Sequence, residues 1–132
     1  MLKLSDLALI AKARLEDASV LFNQGRYDGA NYLCGYAVEI ALKFRAARTL
    51  NWKEFPETSG EFGLLRSFQV HDLDALLRLS GQEEEIKRKF ISQWSAVSQW
   101  NPESRYKPIG NVTQRKAGDM IENAKIIVAE LL

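Results

Sequence analysis

Apolar residues recur at helical spacing through most of this chain. Leu4, Leu7, Ala8, Ala11, Leu15, Ala18 and Phe22 advance by threes and fours with charges between them, which predicts a long amphipathic helix from Leu4 to Phe22. Ser5 or Asp6 can cap its start, and Gly25 suits the left-handed residue just past its end. A second helix is predicted from about Asp28 to Thr49, and so short a connection makes the two antiparallel neighbours. That helix has two faces. Ala30, Leu33, Cys34, Ala37, Val38, Ala41 and Leu42 form an apolar flank, while Tyr32, Tyr36, Glu39 and Lys43 form a ridge of two phenols, a carboxylate and an ammonium. A core helix needs only the flank. The ridge suits a polar cleft, a partner surface or a solvated edge.

From Leu50 to Val70 the periodicity stops, and Pro56, Gly60 and Gly63 punctuate a segment too long for an ordinary connector. Phe62, Leu64, Leu65 and Phe68 could add one helical turn within it. A third helix opens after His71 with Asp72 as cap, turns Leu73, Leu76, Leu77 and Leu79 inward, and stops at Gly81. Ser80 and Glu83 have capping-box spacing for a fourth helix, whose stripe is Ile86, Phe90, Trp94 and Val97. Pro102, Pro108 and Gly110 make Trp100 to Val112 a structured loop. A last helix from about Thr113 buries Ala117, Met120, Ile121, Ala124, Ile127, Val128 and Leu131. Nothing alternates at period two long enough to predict a strand. The expected architecture is all-α, an antiparallel bundle of four to five helices forming one domain over residues 1–132, with an insertion at about 50–70.

Composition narrows the function classes. Eighteen basic and seventeen acidic residues leave a formal charge of +1, too little for a general phosphate-backbone binder, so any nucleic-acid contact is local. The one cysteine, Cys34, lies on the apolar flank and reads as a small hydrophobe, with no second thiol for an internal disulfide. Charges at Asp6, Lys12, Arg14, Glu16 and Asp17 interrupt the first helix, so neither a leader nor a membrane span is expected, and the location expected is cytoplasmic. One histidine and scattered carboxylates supply no metal-ligand spacing, and no cofactor motif is present in the sequence.

The order of these features carries a resemblance: a long amphipathic helix, then GRYDGANYLCGYAVEIALK with Glu39 and Lys43, then HDLDALL from His71, then Arg105 and Tyr106 followed by Pro108. This resembles the HEPN domain over most of the chain, failing mainly at 50–70. The resemblance implies one of two activities. Some members are similar to the helical substrate-binding half of nucleotidyltransferases and stand beside a minimal nucleotidyltransferase partner. Others are metal-independent ribonucleases whose dimers bring together an arginine and a histidine with four to six residues between them.

Arg66 and His71 have the ribonuclease spacing, and an imidazole could move the 2′-hydroxyl proton while a guanidinium stabilises the phosphorane. The same His71 could instead bond a nearby carboxylate and anchor the third helix against the second. Arg105 and Tyr106 sit between two prolines, where a guanidinium needs a partner: Glu39 on one reading, a phosphate on the other. Trp94 belongs to the core, whereas Trp52 and Trp100 lie in loops and either cap the bundle or stack on a ligand. Lys87, Arg88 and Lys89 read as a solvated face offset by Glu83 to Glu85. The favoured function is a non-catalytic HEPN-like binding module in a toxin–antitoxin-like context, forming a homodimer. Its cleft of Tyr32, Tyr36, Glu39, Lys43, Arg105 and Tyr106 receives a nucleotide or a nucleotidyltransferase partner. The alternatives are a ribonuclease toxin acting on RNA through Arg66 and His71, and a protein-interaction scaffold.

Overall fold

The computed structural model describes residues 1–63, 65 and 69–132. Helix α1 (Leu4–Asn23) and helix α2 (Tyr27–Thr49) pair antiparallel, joined by a turn in which Gly25 takes φ +76°, the left-handed geometry that glycine adopts without cost. The cap of α1 differs from expectation. Neither Ser5 nor Asp6 closes it, because the chain enters the helix from an extended Lys3. Leu2–Lys3 forms strand β1, paired antiparallel with β2 (Glu54–Phe55), with Leu2 opposite Phe55. The expectation of no strand is therefore corrected, since a two-residue strand is too short to leave a periodic signal.

Helix α2 is the spine. Ala30, Cys34, Ala37, Val38, Ala41 and Leu42 are buried as the flank predicts, with Leu33 half-buried at its edge. Small residues on this face let α1 and the C-terminal helix approach closely, and the buried methyls and methylenes supply the main driving force. Burial pushes the Cys34 thiol up to about 12 against a weak opposing effect of Lys125, so Cys34 packs as a hydrophobe and is no nucleophile.

The segment after α2 holds one helical turn, α3 (Ser59–Phe62), capped by Thr58 and burying Phe62. Leu64, Arg66 and Phe68 lie outside the described residues, and Leu65 is exposed. Helix α4 (Leu73–Ser80) starts where Asp72 accepts the Ala75 N–H at 2.8 Å and ends at left-handed Gly81, as the sequence predicts, though Leu79 is only half-buried. The Ser80–Glu83 capping box does not form. The Ser80 hydroxyl donates to Leu77 O at 2.6 Å and accepts from Gln82 N–H at 3.1 Å, so it closes the end of α4 instead.

The expected fourth helix is two: α5 (Glu83–Lys89) and α6 (Ile91–Val97), broken at Phe90 with φ −133° and ψ 36°. The break redirects α6 so that Trp94 is buried while its indole N–H donates to Asp74 of α4 at 3.0 Å. Helix α7 (Gln114–Leu131), capped by Thr113, buries all seven predicted core positions. The all-α bundle stands. Seven α-helices are present among the described residues, or five members if α5 and α6 count as one and single-turn α3 is set aside. Among the described residues, no helix is long and apolar enough to cross a membrane.

Candidate functional site

Trp100 organises the end of the bundle where α2, α6 and α7 meet. It is 7% exposed and lies flat against Gly35 of α2, at a position where any side chain would collide with its ring. Tyr32 packs beside it at 5.8 Å between ring centroids, and Tyr36 stacks on Tyr32 at 6.3 Å and 18°. Of the two readings for Trp100, the indole caps the bundle. Its face toward Tyr32 also forms the floor of a cleft of about 620 Å³.

The opposite wall is the loop from residues 101 to 113, which includes a 3-10 turn over Pro102–Tyr106. One carboxylate ties it down. Asp28, in the first turn of α2, accepts Gly110 N–H at 2.6 Å and Val112 N–H at 2.8 Å. Asp28→Ala frees two backbone donors and is expected to cost about 1–2 kcal/mol, discounted for exposure. Amide hydrogen exchange should speed up selectively at Gly110 and Val112, while the core of α2 and α7 keeps its protection.

Arg105 projects from this loop over the Tyr106 ring, 4.9 Å from its centroid. Hydrogen bonds to the phenol oxygens of Tyr32, chiefly, and of Tyr106 push the guanidinium further above its ordinary range. The loop and the tyrosine row therefore converge, but the expected Arg105–Glu39 ion pair does not form. Both oxygens of Glu39 are used elsewhere: Oε2 accepts from Lys43 Nζ at 3.1 Å and Oε1 meets His71 Nδ1 at 3.1 Å. Burial pushes the Tyr36 phenol above its usual value, aided by Glu39 and Tyr32 and opposed by Arg14.

The six residues expected to share one cleft thus divide. Tyr32 and Arg105 line it, Tyr36 stands behind Tyr32, and Tyr106 lies outside the lining. Glu39 and Lys43 belong to a second cluster with His71, where Lys43 also sits 6.0 Å from the Phe55 ring centroid. There a fully buried carboxylate holds a largely exposed imidazole. Because a carboxylate only accepts, the bond places the proton on Nδ1. The anchoring reading of His71 holds in geometry, since this contact joins the entrance of α4 to α2.

Sequence reasoning missed Asp28, Arg115 and Lys116, which all line the cleft. Asp28 read only as the start of the second helix, and the one available signal for the other two was a pair of cations in the first turn of α7. The basic run at 87–89 is offset by its own helix: Lys87 pairs with Glu83, and Arg88 and Lys89 pair with Glu85.

No curated protein and no solved structure matched the chain. Residues 4–132 match the family described as HEPN domain. With nearly the whole bundle covered, from the first residue of α1 to the end of α7, the chain belongs to the HEPN domain family.

Proposed function

We propose that this chain is a non-catalytic HEPN binding module whose cleft receives a nucleotide, and that it works by association with a minimal nucleotidyltransferase partner in a toxin–antitoxin-like context. One observation carries this reading: a single cleft joins aromatic side chains, Tyr32 and Trp100, to four cationic ones, Arg105, Lys107, Arg115 and Lys116. Rings offer stacking to a base, and guanidinium and ammonium groups offer charge-assisted bonds to phosphate. A volume of about 620 Å³ suits a ligand of that size. Calorimetric titration with a panel of nucleotides is expected to give saturable heat that Arg105→Ala abolishes. Absence of saturable binding by the unaltered chain overturns the reading.

A second reading has its own support. The Glu39–His71 contact is the arrangement in which a carboxylate orients an imidazole for proton transfer. With Arg66, which lies outside the described residues, His71 would then serve a ribonuclease that needs no metal. Incubation with single-stranded and structured RNA in chelator between pH 5 and 8 decides it. Cleavage lost in His71→Ala selects the nuclease, and intact RNA removes it.

A further inference from the structure

Helix α7 breaks an electrostatic rule that α5 keeps. In α5 the first turn is Glu83, Glu84 and Glu85 and the last turn is Lys87, Arg88 and Lys89, each matched to its end of the backbone dipole. The first turn of α7 has no acid and two cations, Arg115 and Lys116, at the positive end of an 18-residue helix. That placement opposes the helix. Breaks of a local rule of this kind concentrate at functional sites.

The neighbourhood points the same way. Arg115, Lys116 and Lys107 line the cleft, and none of them has an ion pair or side-chain hydrogen bond among the described residues. Two carboxylates share the lining, Asp28 and Asp119. Asp28 is occupied by the Gly110 and Val112 N–H groups, whereas Asp119, one turn into α7, is exposed and has no ion pair or hydrogen bond from its side chain among the described residues. Two lining residues also carry a buried donor with no hydrogen-bond partner among the described residues, the Trp100 indole N–H and the Ser104 hydroxyl. Left unmade, such bonds are costly, and a ligand acceptor would complete them only once the loop shifts to open them to the cleft.

We infer that the cleft selects a nucleoside monophosphate, with its base against Tyr32 and Trp100, its phosphate on Lys107, Arg115 and Lys116, and Asp119 limiting how much negative charge can enter. This deepens the nucleotide-binding reading and rests on it. Four cationic side chains against two carboxylates leave a balance of two positive charges in the lining. A phosphate monoester carries about −1.5 to −2 at neutral pH, which matches. A triphosphate brings further anionic groups that must lie near the Asp119 carboxylate, so the same residue that tolerates one phosphate discriminates against three.

The test is calorimetric titration of the full chain with adenosine, AMP, ATP and inorganic phosphate at low ionic strength. AMP is expected to bind about tenfold more tightly than ATP. Asp119→Asn, an exposed change whose melting curve should match the unaltered chain, is expected to erase that preference by strengthening ATP. Lys116→Ala is expected to weaken AMP while leaving adenosine unchanged. ATP binding as tightly as AMP overturns the inference but leaves the nucleotide-binding reading standing; no binding by either overturns both. A preference unmoved by Asp119→Asn, equal losses for adenosine and AMP in Lys116→Ala, or phosphate binding as tightly as AMP each overturn the proposed division of labour.

Discussion

Gly35→Ala is expected to lower the melting temperature by roughly 10 °C, although alanine is the better helix former. A Cβ at position 35 would lie 2.1 Å from Trp100 Cδ2 and 2.2 Å from Cγ, well inside contact distance. An indole has no flexible end to swing aside, and Gly35 is in the interior of the longest helix, so neither partner can shift alone. The ring must leave its seat. Losing a buried tryptophan costs about 3–5 kcal/mol, and the helix-propensity gain returns about 1, for a net loss of about 2–4 kcal/mol. Thermal melts of a double-mutant cycle isolate the cause. Trp100→Ala alone should be destabilised, but adding Gly35→Ala to it should cost nothing further and restore part of the loss, because the clash has gone. Indole fluorescence of the single Gly35→Ala variant should shift red as Trp100 enters water. A Gly35→Ala chain that melts like the unaltered protein would show that the ring does not occupy this seat. Since Trp100 is also the cleft floor, nucleotide binding should weaken with it.

The same glycine illustrates what could be read in advance. Helical periodicity locates core faces because burial follows the repeat, and it placed α1, α2, α4 and α7 and all of the α7 core. It says nothing of which buried position must be empty. Gly35 falls among Ala30, Cys34 and Ala37 and reads as one more small residue until Trp100, from a loop, is seen to fill its place. Phe90 was invisible for a related reason. The spacing of Ile86, Phe90 and Trp94 is unbroken, and the backbone ladder resumes across the break with Trp94 N–H bonding Phe90 O at 2.8 Å, so the redirection leaves no trace in the pattern. In the site, Arg105 was legible because two prolines make an arginine there conspicuous. Glu39 entered the reading as one of two candidate partners for Arg105, whereas it pairs with Lys43 and His71. Spacing along a helix states which side chains are aligned, and only the packing of α4 on α2 decides that His71, rather than Arg105, reaches the carboxylate.

That carboxylate gives the second large expected effect. Lys43→Met should destabilise the chain by about 2–4 kcal/mol, and by more than Glu39→Leu does. Glu39 is 3% exposed and Lys43 16% exposed, so their charges meet away from water. Methionine preserves the apolar stem of the lysine, which isolates the loss of charge from the loss of packing. It leaves a buried carboxylate whose remaining partner is the His71 imidazole. Glu39→Leu is milder, because a freed lysine can extend its ammonium toward solvent and His71, already 63% exposed, needs no protein partner. Removing both charges together should bring stability back to within about 1 kcal/mol of the unaltered chain, since an apolar pair avoids the desolvation that the ion pair only partly offsets. Equilibrium urea unfolding of the three variants reads the order directly, and a double variant no better than Lys43→Met would refute the account. The double variant also separates the two functional readings. It keeps Tyr32, Trp100 and every cation of the cleft, so a binding module should retain its nucleotide affinity. A nuclease that depends on Glu39 to orient His71 should fold and yet lose its cleavage.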